Sequence, residues 1–177
     1  MGHPVLRTPA RALDPGEVAS PRIQQLFDDM FETMTEYQGV GLAAPQVYQG
    51  LRLFVAGFAP SPGEREEDEV DRVPLMTIIN PEISPVGSDL VDDWEGCLSI
   101  PDIRGRVPRA RQIVVRALDR RGKRIEVKAS GFTARVIQHE TDHLNGILFF
   151  DRMKSFESLT FLEEFSRYWS GRDVKEE

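Results

Sequence analysis

Apolar residues at three- and four-residue spacing first appear between Ser20 and Gly39. Ile23, Leu26, Phe27, Met30, Phe31 and Met34 form one stripe, which predicts a helix buried along that side. Ser20 stands where a side-chain cap belongs and Pro21 suits the first helical position. Gly39 is expected to take the left-handed conformation that ends a helix. The pattern then changes period. LRLFVAGF (51–58) reads as a strand, and LMTIIN (75–80) as a second, buried strand stopped by Pro81. Between them, SPGEREEDEVDRVP (61–74) is acidic and bounded by prolines, the composition of an exposed insertion loop. QIVVRALD, the turn RRGK and RIEVKA predict a β-hairpin around Gly122. A second helix is expected from Ser130 or Gly131 to about Asn145, with Gly146 as its stop. A third is expected over 156–170, where Leu159, Leu162, Phe165 and Trp169 share a face. This order describes an α+β domain: mixed, antiparallel strands packed around the second helix, with an N-terminal and a C-terminal helix beside them.

The chain's 177 residues fit one domain spanning 1–177. Its 22 basic and 29 acidic residues leave a net charge of −7, which argues against non-specific nucleic-acid binding. A single cysteine, Cys97, excludes an intramolecular disulfide. The opening MGHPVLRTPARAL lacks the apolar core of a signal peptide, and no later stretch approaches a membrane span. A soluble protein of a reducing compartment is expected, with neither membrane nor nucleic acid as partner.

Chemistry concentrates in His139-Glu140-Thr141-Asp142-His143, an H-E-x-x-H sequence inside the second helical pattern. Residues four apart on a helix point the same way, so both imidazoles can reach one ion. Glu140 follows the first of them and can touch a water on that ion. A divalent metal lowers the pKa of such a water towards ~7, and a nearby carboxylate can take the proton. The histidines share a face with Phe132 and Val136, which implies burial, and buried imidazoles need partners. A catalytic metal usually has a third protein ligand. Leu144-Asn145-Gly146-Ile147 offers none, so Glu157, Glu163, Glu164 and Cys97 all stand as candidates. Cys97 lies in Trp94-Glu95-Gly96-Cys97-Leu98-Ser99-Ile100-Pro101; on composition alone a lone cysteine is a small core residue.

Three segments together resemble the signature motifs of peptide deformylases. They are Gly39-Val40-Gly41-Leu42-Ala43-Ala44-Pro45-Gln46, then Glu95-Gly96-Cys97-Leu98-Ser99, then Gln138-His139-Glu140-Thr141-Asp142-His143-Leu144. The resemblance runs from about Pro4 to Asp151. It implies a metallo-amidase that removes the formyl group from the N-terminal formyl-methionine of nascent polypeptides, at the ribosome, and releases formate. Cys97, His139 and His143 would hold one divalent ion, usually Fe²⁺ in this family; a thiolate with two imidazoles also suits Zn²⁺, Ni²⁺ or Co²⁺. Glu140 would be the general base and acid. The Gln46 amide and the Leu98 N–H would stabilise the developing oxyanion. Gly41 and Gly96 would flank the peptide, which lies as an added strand. Val40, Phe132 and Val136 would form the methionine pocket beside His139. A cytoplasmic, bacterial-type enzyme is implied, with an organellar origin left open.

Two arginines carry further expectations. Arg104 is expected at the substrate site, bracing the cysteine loop by pairing with Glu95. Arg135, where many relatives have an aliphatic residue, would line the pocket with its stem and reach water with its head. Two other function classes compete with the deformylase reading. A zincin-type peptidase would use the same histidines and Glu140 without needing Cys97. A metal-stabilised binding module would not need Glu140.

Overall fold

The structure is a computed structural model that describes residues 1–58 and 73–170. Helices α1 (Pro15–Val18) and α2 (Pro21–Glu36) precede strands β1 (Gly41–Ala43), β2 (Leu53–Ala56) and β3 (Met76–Pro85). Strands β4 (Leu90–Cys97), β5 (Ile100–Ala110), β6 (Gln112–Leu118) and β7 (Arg124–Ser130) lead into helix α3 (Gly131–Leu144). A two-residue strand β8 (Thr160–Phe161) and helix α4 (Leu162–Tyr168) follow. The strands form an antiparallel sheet of order β1-β2-β3-β6-β7 and a smaller one of order β4-β5-β8.

The apolar run around β2 is continuous because that strand is covered twice. Leu53 and Val55 face the α2 stripe of Ile23, Phe27, Met30 and Met34. Phe54 and Ala56 face Ala134 and Ile137 of α3. Successive strand residues point to opposite faces, so a strand between two helices must be apolar at every position. Each fully buried Leu, Ile, Phe or Met there contributes about 1.5–3 kcal/mol. On its other side α3 meets the smaller sheet. There Cys97, Ile100 and Val107 pack with Leu148 and Phe149 from the chain beyond the helix. The H-E-x-x-H helix is thereby held between two sheets, the position from which it can bring histidines to a cysteine on β4.

Several local expectations are corrected. Ser20 occupies the cap position of α2, but its hydroxyl donates to Glu17 O (2.7 Å) rather than accepting from the helix. The left-handed residue after α2 is Gln38 (φ 54°), and Gly39 closes the turn by donating its N–H to Met34 O at 2.8 Å. A Cβ at Gly39 would come within 2.8 Å of Leu98 Cδ1, the end of an exposed side chain. Pro81 does not stop β3: Asn80 turns left-handed (φ 51°), the register shifts between Ile79 and Glu82, and the proline passes through at the break. Asn80 is held by a pair of hydrogen bonds to the Leu13 backbone, 2.7 and 3.0 Å.

The hairpin of β6 and β7 turns at Gly122 (φ 74°), and Gly146 (φ 72°) follows α3. The C-terminal helix is shorter than 156–170, occupying Leu162–Tyr168. Thr160 and Phe161 pair with Arg104 and Ile103 of β5, and a paired strand cannot also be helical. The ring of Trp94 anchors α4, with Phe165 at 5.0 Å and Trp169 at 5.7 Å. Of the acidic segment 61–74, residues 61–72 lie outside the described residues, and Val73 is fully buried rather than exposed. No helix among the described residues is long and apolar enough to cross a membrane.

Candidate active site

Helical spacing carries His139, Glu140 and His143 to one side of α3, and a break in β-pairing carries Cys97 to meet them. The β4–β5 register shifts between Gly96 and Cys97, which re-aims the thiol. Ligand atoms of Cys97, His139 and His143 all lie within 4.8 Å of one another, and Cys97 Sγ is 3.3 Å from His143 Nε2. His139 turns Nδ1 to Glu95 Oε2 (2.8 Å), which leaves Nε2 free to bind. His143 Nδ1 and Glu140 Oε2 are buried without a hydrogen-bond partner. One thiol and two imidazoles, converging within reach of one another, fit a divalent transition-metal ion. Glu157, Glu163 and Glu164 lie outside this cluster; the latter two pair with Arg167.

Beneath the cluster lies a buried ionic network. Glu95 accepts from Arg109 through both carboxylate oxygens (2.8 and 3.0 Å) and from Arg135 Nη1 at 2.8 Å. Arg109 also donates to Asp142, which in turn accepts two bonds from Arg152 (2.7 and 3.1 Å). The expected Glu95–Arg104 pair is absent, for a reason of strand parity. Glu95 stands opposite Gly105 while Arg104 stands opposite Gly96, so the two side chains leave opposite faces of the ladder. Arg109 sits opposite Val91 on the same face as Glu95. Arg104 folds over Gly96 instead, where an added Cβ would collide with its guanidinium. Arg135 is corrected too: it is 5% exposed, and its head lies in the network rather than in water. Arg109 and Asp142 were not singled out from sequence. Asp142, between the two histidines, was the readable one; an arginine in a strand carries no comparable signal.

Gln46 sits in a 3-10 turn (Ala44–Val47) after β1. Its Oε1 accepts the Ala43 N–H at 2.8 Å, which can only donate, so Nε2 must face the cluster. There it lies 3.6 Å from Cys97 Sγ and 3.2 Å from Ser99 Oγ. Gly41 faces the Glu140 carboxylate with no room for a Cβ between them. Val136 is buried and Val40 half-buried. Phe132, expected buried, is 48% exposed because it occupies the open first turn of α3.

Burial dominates the electrostatics. It pushes the Glu140 carboxyl up to about 7, a rise Glu95 assists and His139 and Arg109 oppose. It also leads at His143, holding that imidazole well below its usual range and therefore neutral, as a ligand must be. At Glu95 burial works upward but is outweighed by the hydrogen bonds of His139 and Arg109, which pull the carboxyl down to about 2. At His139 burial favours the neutral ring, yet the bonds to Cys97 and Glu95 and the charge of Glu140 prevail and raise it. A cation held by His139 would take that proton's place.

Comparison with known proteins agrees with this geometry. The family model described as polypeptide deformylase matches residues 1–158. Peptide deformylase 2 of Pseudomonas putida is 47% identical over 146 residues, 82% of this chain and 80% of that protein. The chloroplastic/mitochondrial peptide deformylase 1A of Arabidopsis thaliana is 44% identical over 159 residues, 86% of this chain and 59% of that protein. Among solved structures, the Met-Ala-Ser-bound class I type b peptide deformylase of Acinetobacter baumannii aligns with TM-score 0.77 and 40% identity. It covers 86% of this chain and 94% of its own. Peptide deformylase from Thermotoga maritima aligns with TM-score 0.74 and 37% identity, covering 88% and 95%. With a thiol, two imidazoles and a buried carboxylate gathered on this fold, the chain belongs to the polypeptide deformylase family, metal-dependent hydrolases that remove the formyl group from the N-terminal methionine of nascent polypeptides.

Proposed function

We propose that one catalytic domain performs this deformylation with Cys97, His139 and His143 as metal ligands, Fe²⁺ as the resident ion, and Glu140 as the group that moves the proton. The observation that carries the assignment is Glu140 itself: a buried carboxylate with an unpartnered Oε2 beside three converging ligands. Such a group is costly to keep unless it works. When bound, the ion supplies a Lewis acid for the formyl oxygen and acidifies a water. Burial brings the Glu140 carboxyl to about 7, where it can both take and return a proton, and a cation held by the three residues would lower it.

In the reaction, Glu140 accepts a proton from the attacking water and returns it to the leaving nitrogen. A C–O bond forms, the formyl C–N bond breaks, and formate and a free amine leave. The Gln46 amide, oriented by Ala43, and the Leu98 N–H donate to the oxygen on which charge grows. Val40, Phe132 and Val136 provide the apolar wall for the methionine side chain. Backbone at Gly41 and Gly96 pairs with the extended peptide, and Arg104 over Gly96 borders it. The substrates are N-formyl-methionyl chains leaving the ribosome, and the proposed compartment is the cytoplasm.

The test is formate release from a formyl-Met tripeptide by anaerobic, iron-loaded protein. Release is expected to stop when a strong chelator strips the ion and to return with Fe²⁺; release unaffected by chelation would sink the metal assignment. Gly41→Ala tests the crowding around Glu140, since a Cβ there would stand 2.7 Å from Glu140 Cδ. Displacing the carboxylate by about 1 Å should lower kcat/KM by about 100-fold, with a loss of stability of about 1–3 kcal/mol from the overpacking. Full activity in that variant would show that the carboxylate need not stay where it is.

A further inference from the structure

Arg135 has no part in the roles above, yet its side chain is 6% exposed and four acceptors surround its head. Nη1 donates to Glu95 Oε1 (2.8 Å), Val107 O (2.8 Å) and Asp93 O (3.4 Å), and Nη2 donates to Val91 O at 2.7 Å. Three of these acceptors, Val91, Asp93 and Glu95, belong to β4, the strand that ends in Cys97. The donor belongs to α3, one turn before His139 and two before His143. Cys97 and the two histidines therefore sit on separate elements, and one guanidinium spans the gap between those elements.

The contact with Glu95 closes a ring. Glu95 Oε2 takes His139 Nδ1 while Oε1 takes Arg135 Nη1, so the carboxylate that orients the imidazole is tied to the imidazole's own helix. Arg109 holds the same carboxylate from β5, through Nε and Nη2. One bidentate arginine fixes the carboxylate plane against β5 alone; the second, from α3, fixes it against the helix. We infer that Arg135 is a positioning residue for the metal: it sets the spacing between β4 and α3, and with it the separation of the Cys97 thiolate from both imidazoles. This rests on the ligand set proposed above.

The test is metal binding rather than turnover, using Arg135→Leu and Arg135→Lys beside wild type. The Zn²⁺ dissociation constant is measured by competition with a chromophoric chelator, and the absorption spectrum of the Co²⁺-loaded protein is recorded. Loss of a group that orients a ligand typically costs 10–100-fold in metal affinity. Arg135→Leu should weaken zinc by about that factor and shift the cobalt bands. Arg135→Lys keeps one donor for Glu95 and should fall between Leu and wild type; it carries the test if the leucine variant does not fold. In a Glu95→Gln background, Arg135→Leu should weaken zinc much less than it does alone. Zinc affinity and cobalt bands equal to wild type in either Arg135 variant, even with lowered stability, would overturn the inference and leave Arg135 a structural pin. A wild-type cobalt spectrum without a thiolate charge-transfer band, or one unaltered by Cys97→Ser, would instead remove the ligand set and the inference with it.

Discussion

Glu140→Gln is expected to lower kcat/KM for formate release by about 10²–10⁴-fold, the range for loss of a positioned general acid–base. Glutamine keeps the volume and the buried site but cannot take a proton from water or return one to the leaving nitrogen. The metal should stay, because the three ligand atoms of Cys97, His139 and His143 converge without help from Glu140. Measuring metal content and turnover on the same preparation separates the two effects. A variant that loses its ion with its activity would recast Glu140 as part of the metal site. One that keeps both would exclude it as the proton carrier.

The second large effect is expected at Arg109, which sequence reading passed over. Its side chain bonds two buried carboxylates, Glu95 and Asp142. Arg109→Met preserves most of the volume and strands part of each anion. Breaking a buried ion pair from one side costs about 3–5 kcal/mol, which at a urea slope of roughly 1–3 kcal/mol per molar moves the midpoint by at least about 1 M. Urea unfolding of the metal-loaded protein reads this directly. A loss below about 1 kcal/mol would mean that Arg135 and Arg152 suffice to neutralise Glu95 and Asp142. The partner change, Glu95→Gln, should destabilise the protein as well, because it leaves the buried guanidiniums of Arg109 and Arg135 short of an anion. It should also loosen the His139 ring, whose Nδ1 Glu95 holds at 2.8 Å.

These expectations also mark where the sequence was readable. The α2 stripe, the hairpin at Gly122, the α3 helix and its two histidines were legible because each depends on spacing along the chain. A side chain every 100° on a helix, or alternately on a strand, is a local rule. Limits of elements were less legible where another element intervened. Thr160 and Phe161 leave the helical pattern because β5 offers them a ladder, and Pro81 stays in β3 because Asn80 absorbs the break.

By itself, then, the sequence determined the α+β class, the H-E-x-x-H helix, and, through three motifs in order, the family and its chemistry. Only the tertiary structure decided which arginine meets Glu95, that Arg135 is buried, that Phe132 is not, and that Val73 enters the core. The reason is that partner choice depends on strand register. Glu95 opposite Gly105 puts Arg109 on its face and Arg104 on the other, and a one-residue slip would exchange them. That register is set where β4 turns into β5: the pairing shifts between Gly96 and Cys97, and the run Gly96-Cys97-Leu98-Ser99-Ile100 shows no alternation from which the shift could be read.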